Sequence, residues 1–513
     1  MLFKLKRNTY RRAVCAFGLP LILAVIVMTG CGGKSSNAAL AGLGSGGVKA
    51  GSAAISLDNP ESLQLRIGDD PSTPDDRIVA LRLDITALRA WNSSTSDSID
   101  FLVDPVSVEL VHASTITVPI GQAGANPSTS YDRVDISCSG AGLTYMDYPS
   151  GMLYNQELGP LSPITVDLTN SPLTLGTDPL IVDVNVNLPT LVILPPVGSA
   201  RQPVLRGLAP RPMASGATTG SSPGVTVTQS SIQTGQQQPE NGQVQYLYGT
   251  VTKTVGNTLT VKSSSNSTFK FQTDGNTNFE DVTLGTVLNA TVEVNGSTQA
   301  DGSLYADEVE LVDVLNGVEL LGMVTSVAPD MELSLVVQDG IGSGMSSTLV
   351  GKSVNSQLDE ASYSVSTGDN DMTGVTALFD GEHIFPGQQV EVEAFTAMQT
   401  DPEGSAGLTV PFMVELEQQT ISGTALNYVA GGSAGTGTFD LVLPSNGSSP
   451  LVTMNPGLTS VHVYQQTTTF PAISSIANNR QVQVRGLLLC QNDNVGQPCT
   501  NLVMVAARIT LNN

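Results

Sequence analysis

Apolar and polar residues alternate with a period of two almost everywhere along this chain, and a sustained helical period of 3.6 occurs almost nowhere. From residue 53 to 196 the segments "SLQLRIG", "IVALRLDITALRAW", "VSVELVH", "SYDRVDISCSGAGLTY", "PITVDLT" and "LIVDVNVNL" each alternate in this way, and Pro, Gly, Asp or Asn breaks them. A block of short alternating strands punctuated by turn residues predicts an antiparallel sandwich or barrel, placed here over residues 55–197. Residues 198–242 are rich in Gly, Ser, Pro and Gln and offer little to bury, which predicts a disordered linker.

Beyond the linker the pattern repeats itself three times. "LYGTVTKTVGNTLTVKS", "LLGMVTSVAPDMELSLVVQ" and "ISGTALNYVAGGSAGTGTFDLVL" each open with a Gly followed by an alternating strand. "TNFEDVTLGTVLNATVEV", "HIFPGQQVEVEAF" and "TTFPAISSIANNRQVQVRG" continue them, and "LYADEVELVD", "FMVELEQQT" and "NLVMVAARITL" close them. The units span residues 243–315, 316–420 and 421–513. Closing each into a small barrel hides its strand edges, so the expected fold class is all-β, a β-sandwich-like domain followed by three small β-barrel repeats. On these residues the repeats resemble the family called domain of unknown function 5666, which implies an OB-like barrel. "LQLRIGDDPSTPDDRIVALRLDITALRAW" and "YDRVDISCSGAGLTY" in the first block resemble domain of unknown function 4382, found in bacterial lipoproteins. That resemblance implies no catalytic residues.

The chain begins differently. Lys4, Lys6, Arg7, Arg11 and Arg12 come without an acid and precede an apolar run over residues 13–28. This is the layout of an export signal, and the run, about 16 to 18 residues, falls short of the roughly 20 of a bilayer span. It ends in Met28-Thr29-Gly30-Cys31, which resembles the lipobox of bacterial lipoproteins. The resemblance implies a signal peptide over residues 1–30 and acylation of Cys31. Two or three acyl chains anchor a protein stably where one does not, and residues 31–54, rich in Gly, Ser and Ala, then serve as a flexible tether. A transmembrane anchor and an ordinary cleaved signal are the alternatives. Gly32 in the position after the lipid site points, by the sorting rule of Gram-negative lipoproteins, to the outer membrane.

Charge and cysteine usage narrow the partners. Only 13% of the 513 residues are charged, and the net charge of −24 becomes −29 once a leader with five basic residues and no acid is lost. Such a surface repels polyanions and excludes nucleic acid as a partner. Aromatic residues make up 5% of the chain, with Trp91 the single Trp, so an oligonucleotide-stacking platform on the OB-like barrels is not expected. Phe269 and Phe271 share a strand face and are read as core. Cys490 and Cys499 sit at the mouth of a hairpin formed by "QVQVRGLLL" and "NLVMVAARITL", spaced for a disulfide in an oxidising compartment rather than for zinc.

Three stretches mimic chemical sites. "VGKSVN" carries Gly351-Lys352-Ser353, but Ser346 stands where a phosphate-binding loop has its first Gly. His112, His383 and His462 lie in different units with no nucleophile or paired acid at a recognisable spacing, so no catalytic residue is assigned. "DNDMTGVTALFD" places Asp369, Asp371, Thr373, Gly374 and Asp380 at the spacing of a calcium loop, though Asp replaces the usual Glu at its end and flanking helices are missing. Calcium and a plain polar interstrand loop are the two readings, and no other cofactor is expected. The function expected from all this is a non-enzymatic, lipid-anchored protein of the bacterial cell envelope. It presents its β-modules to an unidentified envelope or extracellular partner. The alternative is a solute-binding or hydrolase-accessory lipoprotein with a small-ligand site in the first domain.

Overall fold

The computed structural model describes the strand Ala50–Ser56 and most of residues 77–511. Residues 1–49 and 57–76 lie outside the description, as do shorter stretches, the longest being 206–220 and 231–242. The described chain is all-β, and the five-residue Pro450–Met454 is the one α-helix among the described residues.

In the first block the long strands Arg77–Trp91 and Arg133–Met146 pair antiparallel from Trp91–Arg133 at one end to Arg77–Met146 at the other. Strands Ser98–Asp100, Val106–Glu109, Leu153–Leu158 and Ile164–Asp167 extend them into a six-stranded sheet. Alternation drives this pairing: Val79, Leu81, Leu83 and Ile85 put their side chains into the interior, as do Val134 and Ile136 on the partner strand. A second sheet joins Ala50–Ser56, Val118–Gly124, Ile181–Val186, Val225–Ser230 and Ser221–Ser222. Val225–Ser230 lies within the segment expected as a linker and pairs along its length with Ile181–Val186.

Each repeat has the same strand plan. In the first, Gln243–Val255, Thr258–Ser263, Thr268–Gln272, Thr291–Thr298 and Leu304–Leu311 form a ring, closed by parallel pairing of Phe271 with Leu304. The third is a closed five-stranded barrel of Gln418–Ala430, Gly437–Val442, Ser460–Phe470, Arg480–Cys490 and Leu502–Leu511. The second follows the same order through Val318–Val327, Glu332–Gly342, Ser353–Gln357 and Gln389–Ala394. Its last strand comes in two pieces, Ala406–Leu408 against Ser353–Gln357 and Pro411–Leu416 against Gln389–Ala394. Phe269 and Phe271 are fully buried in the first barrel, as their shared strand face predicts.

The Gly that opens each unit has a steric cause. A Cβ on Gly249 would lie 2.5 Å from the Lys262 carbonyl oxygen, one on Gly322 2.6 Å from that of Val336, and one on Gly423 2.6 Å from that of Val442. The first strand crosses the second too closely there for any side chain. These glycines also align the repeats. Gly249 pairs with Val292, Gly322 with Val390 and Gly423 with Val482. Tyr248, Leu321 and Ser422 are therefore equivalent positions, as are Glu293, Glu391 and Gln483.

The described residues all belong to one unit, Lys49–Asn513, whose modules are fastened by side chains. Lys352, the lysine of the phosphate-loop mimic, pairs with Glu157 of the first block at 2.8 Å, and the Thr144 hydroxyl donates to the carbonyl of Gly351. Gly351 has φ +77° and packs so that a Cβ would meet Cβ of Arg82 at 3.1 Å. Val79 and Ala80 bury themselves against Met323, Val336 and Met454 beside these contacts. The stretch that mimics a nucleotide loop is thus a docking strap between modules. The second and third repeats are joined by buried amides: Gln388 Nε2 donates to Leu488 O at 2.9 Å, and Gln419 takes Gln389 N and gives to Gly387 O.

Candidate functional site

The residues singled out from sequence scatter. Cys31, Asp369, Asp371 and Thr373 lie outside the described residues. Asp380 Oδ1 accepts from the backbone N–H of Glu382 and His383 and meets His383 Nδ1 at 2.6 Å, so this carboxylate organises a turn. Nearby Met372, Val375, Ala377 and Phe379 pack on Leu416, Leu487, Leu489, Val503 and Val505, seating the loop on the outside of the third barrel. His462 bonds Asp440 at 2.9 Å, and His112 is outside the described residues. Cys490 and Cys499 form a disulfide with Cα atoms 5.9 Å apart, as their hairpin spacing predicts.

The chemically distinctive place in the molecule is the seam between the first and second repeats. On the outer face of the first barrel, Tyr248 stands opposite Glu293, and Glu293 opposite Glu310. Residues paired this way on neighbouring strands point to the same side of the sheet. The outer face of the second barrel carries the matching row of Asp339, Leu321, Glu391 and Glu415, with Glu319 and Glu393 paired in the row beside it. The two rows face each other. Tyr248 packs on Leu321 with Val312 and donates its phenol hydrogen to Glu391 Oε2 at 2.6 Å. The Ser264 hydroxyl donates to Asp339 Oδ1.

At the centre, one carboxylate oxygen from each of Glu293, Glu319 and Glu391 lies within 4.8 Å of the others, and all three residues are buried. Asn295 Nδ2 supports Glu293 Oε1 at 2.8 Å. Two ionised carboxylates at this separation repel by roughly 3 kcal/mol at an effective dielectric constant of about 20. Three buried acids so placed call for shared protons or for a cation. The donor set is all oxygen, three carboxylates with a phenol beside them, and suits a hard divalent ion rather than zinc or copper.

The seam also shapes its neighbours. Burial, with the charges of Glu391, Glu293 and Glu319 added, holds the Tyr248 phenol well above the ordinary tyrosine range, so it stays a donor. Asp339 keeps some accessible surface as a residue, but its carboxyl group is enclosed, and burial pushes its pKa up to about 7 against the opposing hydrogen bonds from Ser264 and Gly340. Farther along, Tyr246 faces Glu417 and Arg485, and its hydroxyl is joined to the backbone of Gln418 in the third repeat. In that repeat the aligned positions hold Gln483 in place of Glu293 or Glu391, and Arg485 in place of Asn295 or Glu393.

None of Tyr248, Glu293, Glu319, Glu391 or Asp339 stands out in the sequence. Glu293 and Glu391 are the polar members of "VEV", Glu319 of "VEL" and Tyr248 of "LYG", the pattern of a solvent-facing side chain, and Asp339 ends the run "VVQD". The available signal was the same Val-Glu-Val in two aligned strands, which places acids at equivalent positions of neighbouring barrels.

Comparison with known families agrees with the repeat reading in one place: the model described as Domain of unknown function (DUF5666) matches residues 248–310. That stretch runs from Tyr248 to Glu310 and includes Glu293. No curated protein matches the chain.

Proposed function

We propose that this is a non-enzymatic, lipid-anchored protein of the bacterial cell envelope, held by acyl chains on Cys31 and presenting its β-modules to an envelope or extracellular partner. The reading supported by the leader is placement in the outer membrane, with a first domain related to domain of unknown function 4382. The observation that carries the presenting role is how the modules spend their side faces. Ion pairs, amides and carboxyls on those faces dock one module on the next, which leaves hairpin ends as outward surface. Val255 and Val429, near the first hairpin of the first and third repeats, are 60% and 63% exposed. Both lie at hairpin ends and take no part in the ion pairs, amides and carboxyls that dock the modules.

Metabolic labelling with a tagged fatty acid, followed by membrane fractionation, tests the anchor. Wild type is expected to carry label and to sediment with membranes, and Cys31→Ser to lose both. Processed, unlabelled wild-type protein in the soluble fraction overturns the reading.

A further inference from the structure

We propose that the chain self-associates through the outer face of the third barrel, two copies docking there about a two-fold axis as the first and second barrels dock on each other within one chain. The seam between those two barrels joins equivalent positions. Tyr248 packs on Leu321, its equivalent, and Glu293 brings a carboxylate oxygen within 4.8 Å of one from Glu391, its equivalent. Ser264, whose N–H donates to Tyr248 O, meets Asp339, the strand partner of Leu321. Contact between a position and its own equivalent marks an isologous interface, in which one surface patch is used twice.

Three barrels carry this face, and one chain pairs two of them. The row Tyr248, Glu293 and Glu310 of the first barrel and the row Leu321, Glu391 and Glu415 of the second correspond to Ser422, Gln483 and Thr510 of the third. Tyr248, Glu293, Leu321 and Glu391 are buried in the seam. Ser422, Gln483 and Thr510 are only half-buried, and Gln481 in the adjoining row is exposed. Gln481 Nε2 donates to Thr424 Oγ1 at 2.8 Å, a bond that stays within the face. Elsewhere on the same barrel, Leu487, Leu489, Val503 and Val505 are covered by the loop of the second repeat, and Gln418 is held by Tyr246. The first two barrels have used their matching faces on each other, so the face left over on the third finds its counterpart in the third barrel of a second copy.

Charge makes this the face on which two copies can meet. A chain of net charge −24 approaches its own kind against repulsion. Residues 316–420 hold sixteen acids against Lys352, and residues 243–315 hold nine against Lys253, Lys262 and Lys270. Residues 421–513 hold Asp440 and Asp493 against Arg480, Arg485 and Arg508. Where the first two barrels place Glu293 and Glu310, or Glu391 and Glu415, the third places Gln483 and Thr510. Hydroxyls and amides both donate and accept, so a face built from them satisfies its own copy without bringing carboxylates together.

Sedimentation velocity of the full chain tests the interface, with wild type and variants in the same detergent so that any leader or lipid contributes equally to each. Wild type is expected to shift from monomer toward dimer as its concentration rises to about 100 μM, the range suited to a small polar contact. Gln483→Glu and Gln483→Lys each set like charges against each other across the two-fold axis and are expected to weaken self-association about tenfold or more. Mixed in equal amounts, the two variants are expected to restore the dimer, since Glu on one copy then meets Lys on the other. Should either variant fold poorly by circular dichroism, Thr510→Glu and Thr510→Lys take their place with the same expected outcomes. A wild type that stays monomeric at the highest concentration overturns the proposal. A dimer that neither charge weakens, or a mixture that associates no better than its components, places the contact on another face and overturns it as well.

Discussion

The Tyr248 hydroxyl lies 2.6 Å from Glu391 Oε2, although 143 residues separate the two in the chain. They lie in the matching rows of the two barrels: Tyr248 pairs with Glu293 in the first, and Leu321, the equivalent of Tyr248, pairs with Glu391 in the second. One repeat thus supplies the donor in its opening strand, and the next supplies the acceptor in its fourth. The contact joins two barrels that each have a core of their own.

Removing the donor exposes the cost of the acceptor. Tyr248→Phe preserves packing on Leu321 and leaves the Glu391 carboxyl without its phenol. A lost hydrogen bond to such a group costs about 1.5 to 3 kcal/mol. Denaturant unfolding is the measurement, and a midpoint unchanged from wild type would show that the bond contributes nothing net.

The repeat glycines are expected to resist the smallest substitution. Gly322→Ala places a methyl group 2.6 Å from the Val336 carbonyl oxygen and 2.3 Å from Leu335 Cδ1. Overpacking of this kind costs about 1 to 3 kcal/mol. Gly256→Ala, at a hairpin turn with nothing within 4 Å of the added methyl, is strained only by its φ of +57°. Thermal unfolding of the two variants is expected to show the larger fall for Gly322→Ala.

Cys138 should be silent in the native protein. It is free, buried on the long strand Arg133–Met146, and burial, with the nearby charge of Asp84, pushes its thiol up to about 12. Thiolate is the reactive form, so alkylation at pH 8 is expected only after denaturant is added. Rapid labelling of Cys138 without denaturant would contradict the burial.

The disulfide closes a short loop between the last two strands. Replacing Cys490 and Cys499 together by Ser is expected to lower stability by about 2 to 3 kcal/mol through loop-closure entropy. The Cys490 to Leu502 register between the strands should survive. Reduction without mutation should give a comparable fall in the unfolding midpoint.

The docking strap offers a further check. Lys352→Ala removes the pair with Glu157, whose side chain is 53% exposed, while Arg82 retains its bond to the same carboxylate. Such pairs are screened by solvent and contribute at most about 1 kcal/mol. A much larger loss, measured by denaturant unfolding, would mean that the strap orders the Gly351 turn as well.

Local pattern was enough for much of the architecture. Period-two alternation between turn residues identified the strands, because a pleated strand with one buried face permits little else. The repeated opening Gly and the alternating strand that follows each meander marked three equivalent units, since each barrel needs a close strand crossing and an alternating fourth strand. The hairpin around Cys490 and Cys499 could be read as well, from the two strand-like runs that flank the cysteines. What only the tertiary structure decided is which polar faces lose their water. Glu293, Glu319 and Glu391 alternate like any exposed side chain, and Lys352 sits in what resembles a nucleotide loop, yet each meets a neighbouring module. Alternation records the side of a strand on which a residue lies. Whether that side faces solvent or another barrel depends on how the modules dock, and docking is set by contacts between residues tens to hundreds of positions apart.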